Sequence, residues 1–140
     1  MTKNYKILGN YIKDMSSETP DIETHIFVKD YISKYQLNID ITSKALKNKM
    51  IEVNTILKFE DKQENKKKSY FEINYSTIVE VNDEIKEKKD LEKIILCDVQ
   101  IEIYPKLEKS FLNLLHNSGY PDVKFEKKID FDQLYSQRLN

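Results

Sequence analysis

The chain has 140 residues, 34% of them charged and 39% apolar, with a formal net charge of −1. That is long enough to bury one core unaided and too apolar to stay disordered, so a single soluble, globular domain over 1–140 is expected. Near-neutral charge, with Arg138 the single arginine among 23 basic residues, excludes the basic footprint of a nucleic-acid binder. Cys97 is the only cysteine, which leaves no internal disulfide and no cysteine-based metal site. No apolar run reaches membrane-spanning length, and Met1–Lys6 has no apolar h-region. Neither membrane insertion nor a signal peptide is expected, and the protein is expected in the cytoplasm.

Residues 5–14 predict a first strand, with Gly9 tolerated or marking a bulge and Pro20 closing the segment. Residues 21–33 carry no clean period and are expected to be an irregular connection bearing apolar side chains. From Tyr35 the alternation is strict. Tyr35, Leu37, Ile39 and Ile41 face one way, and Gln36, Asn38, Asp40 and Thr42 the other. Ile51, Val53, Thr55, Leu57 and Phe59 repeat the pattern against Glu52, Asn54, Lys58 and Glu60. A solvated hairpin loop at 61–68 ends in Lys66, Lys67 and Lys68. Beyond it Phe71, Ile73, Tyr75, Thr77, Val79 and Val81 alternate with polar neighbours. Consecutive strands with short connections predict an antiparallel meander, packed on one face and wet on the other.

Past Asn82 the period changes. Residues 83–90 are charged and begin a helix or form a loop. Leu91–Tyr104 is dense in apolar residues; its β-branched content permits a strand, while its length and charged lead-in favour a helix. Pro105 suits a first helical position or a kink. Leu107, Phe111, Leu114 and Leu115 form one helical stripe, and Gly119 suits the stop after it. Tyr120-Pro121 opens an extended connection. Asp130 with Gln133 resembles a capping box for a last short helix, whose inner face would carry Phe131, Leu134, Tyr135 and Arg138. Four strands followed by helices predict an α+β fold. One amphipathic sheet leaves apolar helix surface over, so an oligomer is expected.

Several segments together resemble the SecB family of bacterial export chaperones. Tyr11-Ile12-Lys13-Asp14-Met15-Ser16-Ser17-Glu18-Thr19-Pro20 reproduces its Tyr-x-Lys-Asp-x-Ser-x-Glu-x-Pro pattern. His25-Ile26-Phe27-Val28-Lys29-Asp30 is similar to its His-x-Phe-x-Lys-Asp connection, and Phe71-Glu72-Ile73 with Ile78 and Val79 to its fourth strand. Gly119-Tyr120-Pro121 through Ile129-Asp130-Phe131-Asp132-Gln133-Leu134-Tyr135 resembles its closing motif. The match spans nearly the whole chain in order. It implies a four-stranded antiparallel sheet followed by a long kinked helix and a C-terminal helix, assembled as a dimer of dimers. Tyr75-Ser76-Thr77 stands where the family usually has a Gly-Gly pair, and Tyr104-Pro105 with Glu108 replaces its Phe-Pro-Tyr-Ala-Arg motif. With Asn140 as the last residue given, the family's acidic C-terminal tail is expected to be missing.

The resemblance implies an ATP-independent holdase that binds unfolded precursor proteins and hands them to the SecA motor. Asp14, Glu18, Tyr70 and Glu72 match the acidic surface that receives the motor's basic tail; opposite charge would steer it. A client groove is expected from Ile26, Phe27, Val28 and Tyr31, opposed by Tyr120, Phe125, Phe131, Leu134 and Tyr135. The bland alternatives are solvated strand residues for the first set and ordinary core for the second. A SecB-like guardian of a toxin–antitoxin pair and an oligomeric scaffold without clients are the rivals. No catalytic constellation is expected: His25 and His116 read as surface or helix-end residues, and Cys97 as a buried thiol. No Gly-rich phosphate loop is present, and no cofactor or metal is expected.

Overall fold

The strict alternation of the middle segments places every inward residue opposite another. The structure is a computed structural model describing residues 4–138; the side chain of Arg138 lies outside that description. Its elements are β1 (Tyr5–Glu18), α1 (Ile22–Tyr31), β2 (Gln36–Ala45), β3 (Met50–Glu60), β4 (Tyr70–Val81), α2 (Lys88–Lys93), α3 (Val99–Asn117) and α4 (Phe131–Arg138). The four strands form one antiparallel sheet in the order β1-β4-β3-β2. Ile39 sits opposite Leu57, and Leu57 opposite Ile73, so the inner face is a continuous apolar surface.

β1 runs four residues beyond its expected end, to Glu18. Its register slips between Ile7 and Gly9 and again between Ile12 and Asp14, leaving Leu8 and Lys13 as bulge residues. Gly9 therefore marks a bulge rather than a tolerated interruption.

Residues 21–33 are not irregular. They form α1 and a short 3-10 turn at Ile32–Lys34. Asp21 caps α1 by accepting from the Thr24 amide at 2.8 Å, which holds its carboxyl below the usual range. The helix has no clean apolar stripe because it buries only Thr24 and Val28, while Ile22, Ile26 and Phe27 stay exposed. The sequence period was absent for that reason.

Leu91–Tyr104 is helical. A π turn at Ile94–Asp98 joins α2 to α3. Gln100 is completely buried beside this turn: its Nε2 donates to the Ile95 carbonyl at 3.2 Å, and its Oε1 accepts from the Thr55 hydroxyl at 3.0 Å. One amide side chain thus ties the widened helix to the middle of β3. Pro105 lies inside α3 rather than at its start, so the Ile101 carbonyl loses its usual helical donor. Leu107, Phe111 and Leu115 are fully buried, and Val99 and Ile103 extend the stripe over the sheet.

α3 ends in a Schellman arrangement. Tyr120 N donates to Leu115 O at 3.1 Å, Gly119 N to His116 O at 3.3 Å, and Gly119 has φ +104. A Cβ at Gly119 would also stand 2.7 Å from Cε1 of His25. α4 starts as expected, with Gln133 N donating to Asp130 Oδ1 at 3.0 Å. Its position is fixed by Phe131 against Tyr104, with ring centroids 5.4 Å apart, and by the Cys97 thiol donating to Asp132 Oδ1 at 3.0 Å. Burial, and then the Asp132 carboxylate, push that thiol up to about 12.

Gly119→Ala is expected to cost about 1–3 kcal/mol, because positive φ and the His25 contact both penalise the new methyl group. Urea unfolding at fixed protein concentration should show a lower midpoint with an unchanged slope. A second prediction concerns Cys97. Its thiol is raised from the ordinary 9.0, so the folded state favours the protonated form. The resulting stability is complete below about pH 9 and declines as pH climbs toward 12. Native protein at pH 8 should resist iodoacetamide for as long as it stays folded, and the urea-unfolded chain should react.

Candidate functional site

Strand pairing puts the four expected docking residues on one surface. On the outer face of the sheet, Glu18 lies opposite Tyr70, Ser16 opposite Glu72, and Asp14 opposite Asn74. Tyr70 is more than half exposed. Glu72 is opposite Lys58 on its other side, and Lys58 Nζ reaches Glu72 Oε1 at 3.5 Å. No ion pair reaches Asp14 or Glu18 among the described residues. Farther along the same face, Glu52 accepts from Ser76 Oγ at 2.8 Å and from Lys13 Nζ and Tyr11 OH at 3.3 Å each. The Ser76 hydroxyl first, and Lys13 with it, hold the Glu52 carboxyl below its ordinary range.

The residues expected to form one client groove occupy three environments. Ile26, Phe27 and Tyr31 line a shallow depression on α1 with Glu23, Asp30 and Lys67. The Phe27 and Tyr31 rings stack there with centroids 5.5 Å apart, and Ile26 is 58% exposed. Val28 points the other way and is fully buried.

Tyr120 is also core. Its ring stands edge-on to Phe71 at 5.5 Å and tilts against His25 at 5.1 Å. Its hydroxyl meets Ser69 Oγ at 2.8 Å and Thr19 Oγ1 at 3.2 Å, while Tyr35 OH accepts from the Ser69 amide at 3.0 Å. This buried hydroxyl cluster joins the end of β1, the start of β4 and the segment after α3.

Phe125 and Phe131 line the third environment, an open groove of about 610 Å³ between α3 and the segment before α4. Ile101, Tyr104, Pro105 and Leu112 supply its helical wall, and Ile129 completes its apolar lining. Glu108, Lys109, Asn113, His116 and Lys128 supply its polar lining. Leu134 and Tyr135 are outside this groove; they pack against the core, and Tyr135 OH donates to the Lys89 carbonyl at 3.1 Å. The α1 depression and the α3 groove share no lining residue, so α1 and α4 do not face each other across one cleft. Sequence reasoning missed the α3 wall. Ile101 and Leu112 were its available signal, being apolar residues off the buried stripe.

Both histidines have structural roles near chain reversals. His25 packs on Gly119 and Tyr120, and His116 Nε2 lies 2.9 Å from the Val123 carbonyl in the last turn of α3. Among the described residues, no group of three or more His, Cys, Asp or Glu is arranged to hold a metal ion. No described helix is long and apolar enough to cross a membrane.

A family model described as preprotein translocase subunit SecB matches residues 1–140. A Pelagibacter ubique protein named for SecB protein export is 66% identical over 140 residues, all of both chains. The protein-export protein SecB of Parvibaculum lavamentivorans is 23% identical over 133 residues, covering 95% of this chain and 77% of its own. Among solved structures, a Mycobacterium tuberculosis SecB-like chaperone, determined with a ChAD peptide from an antitoxin, superposes with a TM-score of 0.64. That likeness covers 90% of this chain and 91% of the other at 10% identity, so it shows a common fold. The whole-chain family match and the 66% identical relative establish that the chain belongs to the SecB family of protein-export chaperones.

Proposed function

We propose that this chain is a cytoplasmic, ATP-independent holdase that binds unfolded precursor proteins and delivers them to the SecA motor, working as a dimer of dimers. The observation that carries the reading is the open 610 Å³ groove, whose walls are mostly aliphatic and aromatic side chains. The stacked pair on α1, an exposed Phe27 beside a half-buried Tyr31, adds a second, separate apolar surface. Burying one large client side chain gains about 1.5–3 kcal/mol, which alone holds nothing after the cost of association. Repetition by symmetry changes this, because a long unfolded chain that reaches several grooves gains avidity of about 10²–10⁴.

Two further observations support the partners. Asp14, Glu18, Tyr70 and Glu72 share one surface, which suits a basic tail, although Lys58 already competes for Glu72. On β1, Ile12 and Met15 face inward yet remain 44% and 45% exposed, and Leu8 and Tyr11 add further apolar area along this edge strand. A long apolar edge needs a cover, and a second copy supplies it. The co-facial carboxylates favour motor docking over an antitoxin guardian, which has no need of that surface.

Three measurements test the reading. Light scattering should give the mass of about four chains, and a stable monomer would count heavily against the assembly. Ile101→Asp, placed where Ile101 is 53% exposed on the groove wall, should weaken capture of a denatured secretory precursor about ten-fold while leaving the melting temperature unchanged. Replacing Asp14 and Glu72 with Lys should weaken motor binding and spare client capture; an equal loss of both would show that the docking surface is misassigned.

A further inference from the structure

The last rung of the β1–β4 ladder is Glu18 opposite Tyr70, two residues of the outer docking surface. One residue beyond that rung, on both chain segments, the side chains turn inward. Thr19 Oγ1 and Ser69 Oγ meet there at 2.7 Å, and they lie 3.2 and 2.8 Å from the Tyr120 hydroxyl. On the same inward phase, Ser17 donates to Ser118 Oγ at 2.7 Å, and Ser118 donates to the Leu114 carbonyl. The Tyr120 ring packs in turn on His25 of α1, with centroids 5.1 Å apart. α1 itself is lightly held, because Thr24 and Val28 are its only buried residues. It nevertheless carries the exposed Ile26 and the stacked Phe27 and Tyr31. The buried hydroxyl cluster therefore stands between an outer polar surface and a loosely seated helix with an apolar one.

We propose that this cluster is a coupling device, in which Tyr120 links occupancy of the outer surface at Glu18 and Tyr70 to the seating of α1. In the seated state the Thr19, Ser69 and Tyr120 hydroxyls are joined and His25 rests on the Tyr120 ring. In the lifted state α1 leaves the ring and the cluster opens. A partner that bridges Glu18 and Tyr70 needs the rung closed. A closed rung keeps Thr19 and Ser69 together beneath it, so docking favours the seated state. A client that grips Ile26, Phe27 and Tyr31 and draws α1 off the core binds the lifted state. Docking then lowers its affinity, and the client lowers the affinity for docking by the same factor. The consequence for clients rests on the holdase reading; the link between rung and helix does not.

The test is a double-mutant cycle on the full chain, read by hydrogen exchange of the α1 amides. Tyr70→Gly loosens the rung from the strand that does not lead into α1, so its effect has no direct covalent route to the helix. It should speed exchange across 22–31 by about five-fold or more. Ile78→Gly, on the outer face of the same strand but opposite Gly9, should leave those amides unchanged. Tyr120→Phe keeps the ring and removes the hydroxyl; in that background Tyr70→Gly should add nothing. Ser69→Ala, which removes the hydroxyl between Thr19 and Tyr120 from the other side, should abolish the effect equally and serves if Tyr120→Phe does not fold. The proposal is overturned if Tyr70→Gly leaves α1 exchange unchanged, if Ile78→Gly has the same effect, or if the Tyr70→Gly effect persists without the Tyr120 or Ser69 hydroxyl. A second arm measures capture of a denatured secretory precursor with and without saturating SecA. SecA should weaken capture by wild type about five-fold and leave capture by Tyr120→Phe unchanged; an equal effect on both overturns the coupling to clients. If precursor is never captured, the holdase reading falls, and the exchange cycle still decides the device.

Discussion

One stripe of α3, formed by Val99, Ile103, Leu107, Phe111 and Leu115, closes over the inner face of the sheet, and that burial determines which surfaces remain free. Each such side chain contributes about 1.5–3 kcal/mol when removed from water. Five of them rival the whole net stability of a domain, about 5–15 kcal/mol. The partner surface is equally apolar: Val53, Leu57, Phe71, Ile73 and Val79 are buried opposite it. Once α3 is committed in this way, its neighbouring flank cannot reach the sheet. Ile101, Pro105 and Leu112 are left beside Phe125 and Ile129, and a groove results. The outer face of the sheet is likewise left to its polar residues.

Upstream of the stripe the helix widens, and burial continues through the widened turn. Ile94, Ile95, Cys97 and Val99 are all buried, although they fall within six consecutive positions. A regular α-helix spreads such a run around more than half its circumference. The π turn at Ile94–Asp98 adds a residue to the turn within this run. The altered pattern makes the Ile95 carbonyl available to a side chain, and Gln100 Nε2 takes it. Because the same amide also accepts from Thr55, the polar groups of the wide turn and of the central strand are satisfied together. An apolar residue at position 100 would leave both without these partners.

Period-two alternation made β2, β3 and β4 readable, since β3 and β4 bury one face along most of their length and β2 turns Leu37, Ile39 and Ile41 toward the same side. The α3 stripe, its glycine stop and the Asp130 cap were readable for the same reason: each is a local pattern with a local cause. α1 was not, because it is short and buries only Thr24 and Val28; Asp21 after Pro20 was the one signal of its start. In the dense run from Leu91 the length and charged lead-in favoured the helix that forms, and only its widened turn went unread, because a π turn obeys neither common period. The site was legible only in part. The co-facial positions of Asp14 and Glu18 follow from spacing, whereas the separation of the Phe27 and Phe125 surfaces depends on the path of the chain across the sheet.

Spacing alone does not say which face of β1 carries those carboxylates. Inward positions begin with Tyr5 and Ile7, opposite Val81 and Val79. The bulge at Leu8 shifts the pattern, so Asn10 and Ile12 become inward, opposite Thr77 and Tyr75. Continued without interruption, that phase would send Asp14, Ser16 and Glu18 inward against Ile73 and Phe71, a position no ionised carboxylate tolerates without a partner. The second bulge, at Lys13, reverses the phase again. Met15 and Ser17 turn inward, Asp14 and Glu18 turn out beside Tyr70 and Glu72, and the displaced Lys13 side chain finds Glu52. The two irregularities therefore cancel in facing: either bulge alone would turn Asp14 and Glu18 inward, and with both present they stand on the outer surface.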